Sequence, residues 1–165
     1  MSSDETIRRF LDQAAKAAAG ARRVEDQEGL LRALAELIPG GATVYCPAFS
    51  ALEKGIVPTL AHRVNDYASA DVTVEEVLAG IAETGSIVCA GLEGRAVQAS
   101  LLPSHHVALL PAAKIFPTLD DFLASLAPSP PTNIALITGP SRTADIELTL
   151  AIGVHGPERL DVIVV

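Results

Sequence analysis

Cysteine is scarce in this chain. Only Cys46 and Cys89 occur among 165 residues, and neither belongs to a CxxC pair. Iron–sulfur ligation calls for about four cysteines in one chain, so no cofactor of that kind is expected here. Both cysteines lie in apolar, strand-like runs and read as reduced core residues of a cytoplasmic protein. Histidine is equally sparse, at four, and neither HxH nor HExxH spacing occurs, so no metal site is expected. The GxSxG elbow of serine hydrolases and the P-loop GxxxxGK[ST] are also missing. No apolar run approaches ~18 residues, so no transmembrane helix is expected. The opening residues MSSDE lack a basic stretch followed by an apolar one, so no secretory leader is expected. Positive charge is short as well: 12 Lys and Arg stand against 20 Asp and Glu, for a net charge of −8 and a pI near 4.9. Nucleic acid and anionic membrane are therefore poor partners.

Apolar residues are plentiful. Hydrophobic types make up 49% of the chain and charged types 19%, which suffices for a core and argues against disorder. A chain of this length suits one domain, able to bury about 70% of its unfolded surface. The pattern divides it into an N-terminal helical segment over residues 1–41 and an α/β unit over residues 42–165, one globular body in all.

Periodicity places the elements. Ile7, Phe10, Leu11, Ala14 and Ala18 recur at helical spacing over residues 4–19, with Gly20 ending the helix and the alanine-rich 14–21 tail forming a loosely held arm. A second helix spans residues 26–38 and stops at Pro39-Gly40-Gly41. Short strands are expected at 43–46, 71–74, 86–90, 107–110, 114–116, 133–138 and 160–165. Helical turns are expected at 49–54, 75–79 and 95–102, and helices at 118–127 and 142–152. Residues 57–70 show weak periodicity and read as loop. His105 and His106, adjacent at a strand start, point to opposite faces and read as a surface pair. Continuous apolar strands alternating with helices imply a single α/β domain, with a parallel or mixed sheet flanked by helices on both faces.

The richest chemistry sits in one turn, Gly139-Pro140-Ser141-Arg142-Thr143-Ala144-Asp145-Ile146-Glu147. Gly139 permits close backbone approach, and Ser141 suits a helix N-cap. A helix start favours an anion, and Arg142 adds a guanidinium fork suited to phosphate or carboxylate. Asp145 and Glu147 are about 200° apart around a helix, so they form no paired dyad. Instead Asp145 meets Arg142 and Glu147 meets Thr143. The helix beyond is apolar nearly all round, so these acids are expected to be partly buried and paired. A small anionic ligand is the expected guest.

The run GPSRTADIE, followed by GVHGP at 153–157 and a terminal apolar strand, resembles the LUD-domain family of lactate-utilisation protein C-like proteins. Ile81-Ala82-Glu83-Thr84-Gly85 before Ser86-Ile87-Val88 is a second likeness, and Ser100-Leu101-Leu102-Pro103 before His106 a third. The resemblance covers roughly residues 70–165. Typical members carry a longer N-terminal half, so this chain resembles a short version.

The resemblance implies a fold like the NagB/RpiA/CoA-transferase group. It also implies a part in lactate utilisation beside separate iron–sulfur oxidoreductase subunits, with no cofactor in this chain. It gives Glu83 weight as an acid/base residue, with Asp145 and Glu147 as further catalytic candidates. Thr84, Gly85, Gly139, Ser141, Arg142, Thr143 and His155 are the ligand-binding candidates, and Arg95 is added as a residue near a family loop position. His155 leaves the far end of a helix ~16 Å long. It shares a site with Arg142 only if the chain folds back or a second subunit contributes, which keeps a homo-oligomer among the partners. Two further readings stand beside this one: a stand-alone enzyme on a sugar phosphate or acyl-CoA, and a ligand-binding domain without turnover.

Overall fold

The structure, a computed structural model, describes residues 3–92, 94–126, 129–141 and 156–165. Helix α1, Ser3–Lys16, leads into strand β1, Gly20–Arg23, and then helix α2, Gln27–Leu37. Strand β2, Val44–Tyr45, is followed by helix α3, Ala51–Ile56, and strand β3, Arg63–Val64. Strands β4, Val72–Glu76, β5, Ala79–Ile81, and β6, Ser86–Ala90, come next. Beyond a 3-10 turn at Val97–Ser100 run β7, His105–Leu110, β8, Ile115–Phe116, helix α4, Leu119–Ser125, β9, Ile134–Ile137, and β10, Arg159–Val164.

The strands form two sheets. The larger is wholly parallel, in the order β1-β10-β7-β4-β2-β3. The smaller is mixed, in the order β8-β5-β6-β9, with β5–β6 and β6–β9 antiparallel. This is the α/β architecture with a mostly parallel sheet that the pattern implies. The second sheet lies beyond that expectation: β6, β8 and β9 answer to expected strands, but the pattern within a strand does not say which sheet it joins.

Alternation along β7 sets the layers. Val107 and Leu109 join Leu30, Leu34 and Leu37 of α2 and Ile56 of α3 on one face. Ala108 and Leu110 join Ile7, Phe10 and Ala14 of α1 on the other. The same α1 residues meet Ile87 and Cys89 of the small sheet, so α1 is packed in the layer between the two sheets. Phe122 of α4 covers the small sheet's far face, against Ala79, Ile81 and Val88. Close packing of α1 demands Gly80, where a Cβ would stand 2.6 Å from Leu110 Cδ2 and 3.0 Å from Phe10 Cε2. Among the described residues no helix is long and apolar enough to cross a membrane.

Four expectations are corrected. The 14–21 stretch is not a loose arm. Ala14 and Ala19 are buried, Ala18 takes φ 65°, and the chain turns into β1. Parallel pairing of Gly20–Arg23 with β10 outweighs the local helix propensity of alanine. Residues 75–79 form no helical turn, since β4 runs on to Glu76 and β5 starts at Ala79. The 57–70 stretch holds 3-10 turns and β3 as well as loop. His105 and His106 do point to opposite faces, but both are buried in the central strand of the large sheet.

Candidate functional site

In the large sheet the chain passes from β2 outward to β3, returns to β4, and then proceeds through β7 to β10. The crossovers therefore diverge between β2 and β4. In open parallel sheets the carboxyl ends of strands at such a switch point frame a crevice. A crevice of about 220 Å³ lies at this place, where the end of β4 meets the end of β6. Its lining includes Glu75, Glu76, Cys89, Arg95, Ser100 and Lys114.

Local sequence builds the near wall. Ser50 caps α3 in a capping box with Glu53. The preceding loop bends sharply, with Ala48 at φ 57°, a left-handed backbone that costs about 1–2 kcal/mol for a residue with a Cβ. Glu53 is 0% exposed yet fully partnered. Its Oε2 accepts from the backbone N–H of Phe49 at 2.8 Å and of Ser50 at 3.0 Å, and its Oε1 from that of Glu76 at 2.8 Å. Arg95 adds a fork, Nη1 to Oε1 at 2.7 Å and Nη2 to Oε2 at 2.9 Å. The guanidinium also lies 5.4 Å from the centre of the Phe49 ring. Burial raises the Glu53 pKa, but the bonds from Arg95, Ser50 and Glu76 outweigh it and hold the carboxyl below its usual value. Burial likewise lowers that of Arg95, and Glu53 more than restores it.

The far wall is more open chemically. Lys114 Nζ donates to Glu76 Oε1 at 2.7 Å. Glu75 Oε1 accepts from Ser100 Oγ, and its Oε2 stands 3.8 Å from Arg95 Nη1. Behind it lies His106, 0% exposed, with Nε2 3.2 Å from Glu75 Oε1. That separation suits a hydrogen bond, but the geometry does not, and both ring nitrogens are left without a partner. Opposite, on β6, burial pushes the Cys89 thiol far above its usual pKa, with the Glu75 charge adding to the effect. The arrangement offers two cations, a carboxylate hydrogen-bonded by a serine, and a cluster of donor atoms beneath it.

Of the residues singled out from the sequence, Arg95 lines the crevice; the others fall elsewhere or outside the described residues. Glu83 Oε1 accepts from the N–H of Leu119 at 2.7 Å and so caps α4. Thr84 is exposed, and its hydroxyl lies 2.7 Å from Ser86 Oγ, itself 2.6 Å from Thr138 Oγ1. This hydroxyl chain brings the 81–85 turn beside the 139–141 turn. Gly85 takes φ 69° and Gly139 φ 73°. A Cβ at either would overlap the α1 backbone end, at Ala14 N and Ala17 O respectively. Their freedom thus serves the approach to α1. Ser141 N–H donates to Pro157 O at 2.8 Å. Arg142, Thr143, Asp145, Glu147 and His155 lie outside the described residues.

Sequence reasoning passed over Glu53, Glu75, Glu76, Cys89, Ser100 and His106. A signal existed for Glu75 and Glu76: two carboxylates interrupt an otherwise apolar strand run, 72–77. Glu53 carries the capping-box spacing from Ser50. Ser100 and His106 stood within a quoted likeness and were given no role.

Comparison with known proteins bears on the whole. The LUD domain model matches residues 62–165. "Lactate utilization protein C" of Exiguobacterium sp. is 35% identical over 102 residues, covering 58% of this chain and 44% of that protein. Its namesake from Macrococcus caseolyticus is 36% identical over 109 residues, covering 62% and 46%. The chain thus spans less than half the length of these curated relatives. A crystal structure of a DUF162 family protein from Deinococcus radiodurans superposes with a TM-score of 0.75 at 24% identity, covering 99% of this chain and 98% of that one. That likeness concerns the fold.

Proposed function

Because this chain belongs to the LUD-domain family, we propose that it takes part in lactate utilisation, holding a small 2-hydroxy carboxylate in the crevice between Arg95, Lys114 and Glu75. Relatives named for lactate utilisation support the substrate class. The observation that carries the reading is the crevice itself, at the switch point and lined by two cations and an available carboxylate. At about 220 Å³ it is smaller than the roughly 300–1,000 Å³ of drug-sized ligand pockets. That size favours a three-carbon acid over a dinucleotide or a CoA thioester.

In this reading Lys114 and the outer edge of Arg95 hold the substrate carboxylate, and Glu75 takes the hydroxyl proton on Oε2, the oxygen turned towards Arg95 rather than towards His106. Oxidation of a 2-hydroxy acid to a 2-oxo acid releases two electrons and two protons. The C2–H bond breaks as well: its hydrogen leaves with the two electrons for an acceptor held by separate iron–sulfur proteins, since the sequence carries no motif for a redox cofactor. The crevice carries three carboxylates, Glu53, Glu75 and Glu76, against Arg95 and Lys114. An anionic guest therefore needs a further cation beside Glu75. The free, buried Cys46 and Cys89 support a reducing, cytoplasmic setting. The stretch 139–147, expected from the sequence to hold an anion, stands as the second place for a carboxylate, through Arg142.

The test is calorimetric titration of the purified chain with L-lactate, followed by dye-linked oxidation with and without iron–sulfur partner proteins. Lys114→Ala removes one charge-assisted bond, about 1.5–3 kcal/mol, and should weaken lactate binding roughly tenfold to a hundredfold. Unchanged binding in Lys114→Ala together with loss in Arg142→Ala moves the site to the 139–147 turn. Binding of a sugar phosphate or CoA thioester with no response to lactate replaces this reading with the stand-alone enzyme.

A further inference from the structure

We propose that Glu75, Cys89 and His106 form a binding site for a divalent transition metal of the zinc class, with a coordination position open to the crevice. The three residues come from β4, β6 and β7, and their ligand atoms lie within 4.8 Å of one another. Thr73 and His106 are register partners on adjacent strands. Glu75, two residues past Thr73, therefore shares the His106 face, and Cys89 projects towards them from the small sheet. All three are buried.

The decisive observation is His106. A fully buried imidazole with neither nitrogen hydrogen-bonded is costly in a folded protein, because its lost hydration is not replaced. A metal at this point supplies the missing partner. Zinc bonds of ~2.0–2.3 Å in a tetrahedron put donors about 3.3–3.8 Å apart. The present cluster needs side-chain shifts on the order of 1 Å to close around an ion.

The donor chemistry agrees. Thiolate, imidazole and carboxylate together suit a borderline-soft divalent ion and discriminate against calcium and magnesium. Charge balances as well: a 2+ ion with one thiolate and one carboxylate is neutral, and Cys89 gives its proton to solvent on binding. Arg95, 3.8 Å from Glu75 Oε2, is held off the cluster by its fork to Glu53. Three protein ligands plus an open fourth place is the pattern of catalytic rather than structural zinc. Glu75 and Cys89 line the crevice, so the open place faces it. Spacing in the sequence cannot show such a set, since each ligand comes from a different strand.

The experiment titrates the purified, metal-stripped chain with Co²⁺ and then Zn²⁺. One equivalent of Co²⁺ should bring a near-ultraviolet thiolate-to-cobalt band, which Zn²⁺ displaces. Calorimetry in buffers of different ionisation heat should report about one proton released per ion. Cys46→Ser should behave like the parent. Cys89→Ser should lose the band, and His106→Gln should weaken Zn²⁺ binding tenfold or more. No stoichiometric uptake by the folded parent chain, or a band that persists in Cys89→Ser, overturns the proposal. Adding L-lactate to the cobalt form separates this inference from the functional reading. A metal site whose visible bands ignore lactate leaves the metal site standing and refutes the lactate crevice.

Discussion

Replacing Glu53 by Ala tests the electrostatic wall of the crevice. In the parent, one buried carboxylate accepts three backbone N–H bonds and both arms of Arg95. The substitution strands a guanidinium whose side chain is only 16% exposed. Removing one partner of a buried ion pair costs about 3–5 kcal/mol. The three orphaned N–H groups belong to the same network, so their losses fall largely within that figure rather than adding to it. A domain of this size is stable by about 5–15 kcal/mol, and its melting temperature moves about 2–4 °C per kcal/mol. The expected drop is therefore about 6–20 °C, read by urea titration and thermal scan. Arg95→Met combined with Glu53→Ala should cost less than the sum of the two single changes, since the pair acts as a unit. The pH dependence adds a check. The Glu53 carboxyl is held below its ordinary pKa in the folded protein, so its contribution is full above the unfolded value. It is lost as pH falls through the folded value, and Glu53→Ala should flatten that acid limb. A loss below about 1 kcal/mol, in the range of an exposed pair, would refute the reasoning.

Three further outcomes are expected. Gly85→Ala should destabilise by at least about 1–2 kcal/mol for the left-handed backbone alone, with overlap on Ala14 adding to it; an unchanged urea midpoint contradicts this. Cys46, its thiol pushed up to about 11 by burial, and Cys89, raised further, should both resist thiol reagents in the native chain at neutral pH and react in urea. Burial raises the Asp161 pKa, but the hydrogen bond from His105 and the charge of Arg159 more than offset it, so the folded value lies below the ordinary one. Its stabilisation holds above the unfolded value and fades as pH falls through the folded one, and Asp161→Asn should reduce proton uptake on acid unfolding, measured by the slope of stability against pH.

Much of the fold was legible locally. Helix α2 declared itself by leucine spacing and the Pro39-Gly40-Gly41 stop, and the buried strands β6, β7 and β10 by short apolar runs. These are short-range properties, set by side-chain periodicity and backbone propensity. The turns 81–85 and 139–141 were likewise marked by their glycines, and both take the left-handed backbone that glycine favours. What those glycines approach was not legible, because α1 is more than sixty residues away in the chain.

The sequence by itself determined an α/β chain with an ample core, few thiols and turns that mark the family. Only the tertiary structure decided that Gly20–Arg23 is a strand, since its partner is the far C-terminal β10. Only the packing of one sheet on another placed Glu75, Cys89 and His106 together, and turned Glu53 and Arg95 into a pair 42 positions apart. Pairwise chemistry depends on distance in space, and in a parallel sheet each crossover places neighbours far apart in sequence. Spacing along the chain therefore marks only fragments of the crevice, the Ser50–Glu53 cap and the acidic break at Glu75–Glu76, whereas the fold brings its parts within bonding reach.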